Sequence, residues 1–255
     1  MSGDSNFSTY DGVLSLGAWC QVGAAIWRKD LCYIHSPIHN FGIKRWQFLI
    51  DILESRFLNY WEQENMSLGK IVVGFSNKYK DTRPIYKAYC NKYKMISNHH
   101  FDEVDNAPET LNTYELFKEK IDLLSEIFLI QCESYERVLF ALKILSHDEP
   151  TTICKEDITR LCAVLNDLRK GRPYNLRISV PEDLYDDVLL LVRGEQLTHI
   201  SIYPWTIKWN DDITDAEWKW MLGDVKLTDD HYHKLNIEII GLSEISPKHL
   251  EYLNS

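Results

Sequence analysis

No stretch of this sequence holds the roughly 18 consecutive apolar residues that a membrane-spanning helix needs, so no span is expected. The six cysteines include no Cys-x-x-Cys pair, which argues against a structural zinc site. No Gly-rich phosphate loop is present, which counts against an enzyme that transfers sugars or nucleotides. Basic clusters are few and short: Arg28-Lys29, Lys44-Arg45 and Arg169-Lys170-Gly171-Arg172. With a net charge of -10, and because phosphate neutralisation needs clustered Lys and Arg, a general nucleic-acid binder is not expected. The opening residues, Met1 to Asn6, are polar and lack the basic-then-apolar pattern of a secretory leader. Internal repeats and low-complexity segments are absent.

What remains is an ordinary globular composition. The 255 residues are 45% hydrophobic and 26% charged, with 8 Trp and 14 Tyr, enough to build a sizeable core. That length suits one domain over residues 10–255, preceded by a flexible tail over 1–9. Cys20, Cys32, Cys90, Cys132, Cys154 and Cys162 are widely spaced, so reduced thiols and a cytoplasmic location are expected.

The pattern of apolar residues predicts an α/β or α+β protein with about five to seven strands in a mixed sheet packed by helices. Residues 11–16 read as a buried strand and 18–29 as a helix. Residues 30–40 read as irregular, held by Pro37. Trp46, Leu49, Ile50, Leu53, Phe57 and Tyr60 or Trp61 recur at helical steps and predict a helix over 44–61. Strands are expected at 70–75 and 93–101, and a long helix over 112–132. The unbroken apolar run 138–144 predicts a strand covered on both faces. A helix over 155–168 and a strand over 175–180 follow. Further strands are read at 187–193, 198–203 and 237–242, with a short helix at 218–222.

Cys20 carries the strongest chemical signal. It lies in Ser15-Leu16-Gly17-Ala18-Trp19-Cys20-Gln21-Val22-Gly23-Ala24-Ala25-Ile26, where a loop becomes the first turn of a helix. Unpaired amides and the positive end of the helix dipole gather there. A thiol in that position ionises more easily, and the thiolate is the nucleophile. The competing reading is a small apolar cysteine packed beneath a helix. The aromatics Trp19, Trp27, Phe41, Trp46 and Phe101 fit either a cleft wall or plain core.

The stretch from Tyr10 to Leu58 resembles the opening of the DUF1796 family of papain-like cysteine peptidases. The shared features are Ser15-Leu16-Gly17, Cys20-Gln21-Val22-Gly23-Ala24, the segment starting Ser36-Pro37, and Arg56-Phe57 at the end of a helix. Further on, Lys92 to Phe101 is similar to the family's strand ending in His-Asp-Phe. Two departures stand out. Ile38-His39-Asn40-Phe41 follows where the family has Phe-Asp-Trp, and His100 stands where it has aspartate.

The resemblance implies a papain-like core in which Cys20 attacks a carbonyl and a histidine later in the chain shuttles the proton. It puts His99 on the family's histidine and His100 on its aspartate. Successive strand residues face opposite ways, so one of the pair would face Cys20. His35 and His39, in the loop after the Cys20 helix, are further neighbours. Asp102, Asp148 and Asn98 are the candidates to orient the imidazole. The papain-like glutamine before the cysteine is missing, leaving Ser15 or Gln21 as oxyanion donors beside the Cys20 amide. No cofactor or metal is implied. The expected substrate is a protein or peptide, and peptidase, deamidase and acyl-transferase chemistry stay open. The alternative is a member of the fold that has lost the chemistry and binds another protein.

Overall fold

The computed structural model describes residues 9–17, 19–32, 34–39, 41–43, 45–76, 78–107, 110–144, 152–205 and 218–228, with Trp19 and Cys20 described by their backbone. In chain order these form β1 (Thr9–Tyr10), β2 (Gly12–Ser15), α1 (Trp19–Arg28), β3 (Phe41–Ile43), α2 (Gln47–Glu54), β4 (Met66–Phe75), β5 (Thr82–Cys90) and β6 (Met95–Ser97). There follow α3 (Tyr114–Ser134), β7 (Val138–Lys143), α4 (Lys155–Leu168), β8 (Tyr174–Pro181), α5 (Tyr185–Gly194), β9 (Ile200–Trp205) and β10 (Lys226–Leu227). A short helical segment covers 218–222.

The class is α/β. The described strands do not make one mixed sheet. They divide into a parallel sheet, β2-β7-β8-β9, an antiparallel sheet, β3-β6-β5-β4, and a small β1-β10 pair. The division follows the connections. Helices α3, α4 and α5 link the parallel strands, whereas short turns join β4, β5 and β6.

The run 138–144 behaves as its composition predicts. Val138, Phe140 and Leu142 face a core shared with α2, α3, α4 and α5. Leu139 and Ala141 face the other side, with Val22, Ala25 and Ile26 of α1 and with Trp218, Met221 and Leu222. Both faces of the parallel sheet are therefore covered, as its unbroken hydrophobicity requires. The antiparallel sheet holds β3 against β6 in the register Phe41–Ser97, Gly42–Ile96 and Ile43–Met95.

Four expectations need correction. The helix predicted over 44–61 is only α2, Gln47–Glu54; Arg56, Phe57, Asn59 and Trp61 have positive φ of 51°, 63°, 58° and 55°. The aromatic stripe is real, but turns bury it: Trp61 is fully buried, and the Tyr60 hydroxyl donates to the Pro37 carbonyl at 3.1 Å. Residues 187–193 lie in α5 rather than a strand, because burial of Val188 and Val192 at a four-residue step leaves Leu190 67% exposed. Strand β5, unread in the sequence, contains Pro84, which masks its apolar alternation. Thr9 is not tail; it pairs with Lys226 across β1 and β10. The strand read at 237–242, Asp148 and residues 1–8 lie outside the described residues. Among the described residues, no helix is long and apolar enough to cross a membrane.

Candidate active site

Gly17 closes strand β2 with φ +95°, a conformation that favours glycine, and its amide donates to Ser15 Oγ at 3.2 Å. This turn starts α1 at Trp19, so Cys20 lies in the first turn of a ten-residue helix, as the sequence predicts. A side chain at Gly17 would come 2.8 Å from Ile38 Cγ2. The same loop then reaches over the helix. A β-carbon on Gly23 would lie 1.5 Å from His39 Nδ1, so the imidazole occupies the space where a Gly23 side chain would stand. Gly23 follows Cys20 by three residues and shares its helix face. Helical side-chain positions lean toward the helix N-terminus, so the ring lies over the turn that Cys20 opens. Ile38 and His39 thus bracket the Cys20 turn through two glycines.

His39 is 6% exposed, and its Nδ1 makes no hydrogen bond among the described residues. His35 stacks on it with ring centroids 3.9 Å apart and planes 4° from parallel. His35 also meets Trp27 of α1 at 5.0 Å. The two imidazoles therefore run along one face of α1, over Gly23 and Trp27.

His99 and His100 follow β6, which ends at Ser97. They stand in a bend and not on the strand the sequence predicts. The His100 Nδ1 is 2.7 Å from Ser97 Oγ, and its ring stacks on Phe41 at 5.3 Å and meets Phe117 of α3 at 5.1 Å. His99 Nδ1 donates to the Phe75 carbonyl at 2.9 Å. Register joins the two histidine pairs, since Phe41, two residues after His39, is the partner of Ser97. Lys120 lies three residues beyond Phe117, on the same face of α3.

Among the described residues, the charges acting on His39 are basic. Burial, then Lys120 and Lys80, lowers the His35 pKa to about 4. Burial holds His39 well below the ordinary histidine range, helped by His35, His99, His100 and Lys120. Burial, Lys120 and His99 do the same to His100. Lys120 is lowered to about 8 by burial and by Lys80. Among the described residues, no three of His, Cys, Asp and Glu are arranged to hold a metal ion.

Two of the candidates for a third catalytic residue, Asp102 and Asn98, are among the described residues. Asp102 is buried in a bridge with Ile85, its Oδ1 is unpartnered, and the charge it acts on is Arg83. Asn98 Oδ1 is also buried without a partner, while the Asn98 carbonyl packs against Gly74. Of the oxyanion candidates, Ser15 Oγ is engaged by the Gly17 amide, and Gln21 presents a buried, unpartnered Oε1. Phe41, Trp46 and Phe101 are core residues, whereas Trp27 is 42% exposed.

Of the other described thiols, Cys154 is exposed at the start of α4, and the remaining four are in settings poor for chemistry. Burial pushes the Cys32 thiol up to about 12 and raises Cys132 and Cys162. Cys90 is fully buried.

Sequence reasoning placed His39 only as a neighbour, yet a signal was present. Gly23 is a glycine inside a helical pattern, which marks a close approach by another group. In comparisons with known proteins, the chain matches no protein-family model, no curated protein and no solved structure.

Proposed function

We propose that this chain is a papain-like cysteine hydrolase or acyl transferase, of the kind the DUF1796 resemblance implies, with Cys20 as nucleophile and His39 as base. One observation carries the reading: the unpartnered Nδ1 of His39 is seated on Gly23, one turn along the helix face of Cys20. In this mechanism the thiol proton passes to His39 Nδ1, and the thiolate adds to a substrate carbonyl. Amides of the first turn of α1 stabilise the oxyanion. Collapse forms an acyl thioester and expels an amine, which takes the proton from the imidazolium. Water or a second amine then releases the acyl group. Peptide hydrolysis, deamidation and acyl transfer all share these steps. A reducing, cytoplasmic setting suits five described thiols that are all free.

The test is the alkylation rate of Cys20 as a function of pH in the wild type and in His39→Gln, His99→Gln and His100→Gln. His39→Gln is expected to slow the reaction near neutral pH by about 100-fold, the scale of a lost general base. An unchanged rate in His39→Gln, with a slow rate in His99→Gln or His100→Gln, would move the base to the residues the resemblance implies.

A second reading, a protein-binding module that keeps the fold without turnover, is favoured by one observation. Among the described residues, the charged groups acting on His39 are bases, whereas a catalytic imidazolium is steadied by an acid or amide. A wild-type Cys20 that alkylates no faster than an exposed model thiol supports that module.

A further inference from the structure

We propose that β4 is a docking edge for an extended segment of another protein, apolar at its centre and acidic at its ends, which joins the antiparallel sheet as a further strand. This does not rest on the catalytic reading of Cys20.

Three observations carry it. The first is an open edge. β4 is the last strand of the sheet β3-β6-β5-β4. On β5, the Tyr86 amide donates to the Phe101 carbonyl, and the Pro84 carbonyl accepts from the Glu103 amide, both on the side away from β4. The residues opposite Tyr86 and Pro84 are Ile71 and Val73. Opposed residues of an antiparallel pair exchange both backbone bonds or neither, so Ile71 and Val73 turn their amides and carbonyls outward. Among the described residues, no backbone group bonds to them there. From Ile71 to Phe75 the edge holds no proline and no charge, and its register is regular. Prolines, charges and bulges are the devices that keep an edge from pairing.

The second is an uncovered apolar face. Tyr86 packs against the main core, and directly opposed residues share a face, so Ile71 lies on the core-facing side. Val73 and Phe75 follow on that side by alternation. The strip runs past the core: Ile71, Val73 and Phe75 are 43%, 77% and 48% exposed. An added strand would continue this face with its own apolar side chains.

The third is charge. The chain has 38 acidic and 28 basic residues, yet between Met66 and Ser97 it holds seven Lys and Arg against the single acid Asp81. Lys78 and Arg83 pair with Asp105 and Asp81. Exposed Lys70 precedes the uncharged strip, and exposed Lys80 stands in the turn that follows it. A segment acidic at both ends matches them. A second copy of this chain does not. Antiparallel pairing of two β4 strands about Val73 would bring Lys70 of each copy to the turn carrying Lys78 and Lys80 of the other, with like charges opposed.

The probe is a synthetic peptide with a Val-Thr-Val-Thr-Val centre and glutamates at both ends, titrated into the ¹⁵N-labelled full chain. Binding with a Kd on the order of 10–100 μM is expected, with slowed hydrogen exchange at the Ile71 and Val73 amides. The same centre with lysines at its ends should bind at least about tenfold more weakly, and Lys70→Glu combined with Lys80→Glu should reverse that preference. Val73→Pro removes an outward amide, at an edge position where proline is tolerated, and should abolish binding. Val73→Lys, at an exposed position, should weaken it about tenfold and keeps the test open if Val73→Pro folds poorly. Cys20→Ala should bind like the wild type. Equal affinity for the acidic and lysine-ended peptides, protection of amides away from β4, or no binding at about 1 mM peptide would overturn the inference. So would sedimentation in which the wild type self-associates and Val73→Lys does not, because the occupant would then be a second copy.

Discussion

Arg169 and His39 are both buried bases, and their surroundings are opposite. Arg169 is fully buried beneath the end of α4, where its guanidinium donates to the carbonyls of Cys132, Tyr135, Glu136 and Pro173. It closes the end of α3 and the entry to β7 and β8 in the parallel half of the molecule. Asp11 plays the matching acidic part, its carboxylate accepting from the Glu136 and Arg137 amides at 2.9 and 3.0 Å. In the antiparallel half, His39 Nδ1, Asn98 Oδ1 and Asp102 Oδ1 are buried without partners among the described residues. A buried polar group with nearly all its bonds made, as Arg169 is with Nε alone unpartnered among the described residues, is evidence about stability. One left without a bond needs another explanation, and a site is the usual one.

The largest effect expected from this contrast is at Arg169. Replacing it with Met keeps the bulk and orphans four carbonyls, so a loss of about 4 kcal/mol in urea unfolding is expected. A loss below about 1 kcal/mol would mean that water takes over these carbonyls and that the contrast is empty.

The histidine cluster should show itself in pH dependence. His35 has its pKa lowered from 6.5 to about 4, so the unfolded chain binds its proton more readily. Stability from this group is therefore present above pH 6.5 and is lost as the pH falls toward 4. The linked loss is on the order of 3 kcal/mol. His39 and His100 act in the same direction. His35→Phe, which keeps a ring against Trp27, should flatten the acid limb of a stability-against-pH curve. An unchanged limb would take His35 out of the buried cluster.

The two halves also differed in how much of them could be read from sequence. Strands β7 and β8 and helices α3 and α4 announce themselves, because a doubly covered sheet and long amphipathic helices impose simple periods on the chain. The start of α1 was legible for the same reason, and with it the place of Cys20. The antiparallel half was read poorly. Pro84 hid β5, and tertiary burial of Trp61 and Tyr60 imitated a helical stripe across a run of left-handed turns. The site was half legible. His99 and His100 were singled out, but what joins them to His39 is the Phe41–Ser97 register, which no local pattern encodes.

Gly23→Ala sharpens the contrast at a single methyl. Within a helix, Ala is favoured over Gly by about 1 kcal/mol. Here the new carbon would stand 1.5 Å from His39 Nδ1, so the ring must leave its seat. A net loss of about 1–2 kcal/mol is expected, the usual range for overpacking less the propensity gain. In a His39→Ala background the same change should become stabilising by about 1 kcal/mol, as helix propensity alone dictates. If Gly23→Ala stabilises both chains, the ring does not hold that place in solution.

Cys20→Ala should have the smallest effect on stability and the largest on chemistry. A nucleophile is kept for its reactivity, and its sulfur adds little to folding, so a change within about 0.5 kcal/mol is expected. A sulfur sealed in a close-packed core would instead leave a small cavity on removal and cost about 1 kcal/mol or more. Melting curves and a covalent thiol probe, run on wild type and variant together, separate the two. Matched melting curves with labelling confined to the wild type agree with a thiolate at the start of α1 served by His39. A lower melting temperature for the variant, with a wild type that takes up no probe, would place Cys20 with Cys90 and Cys132 among the packing residues.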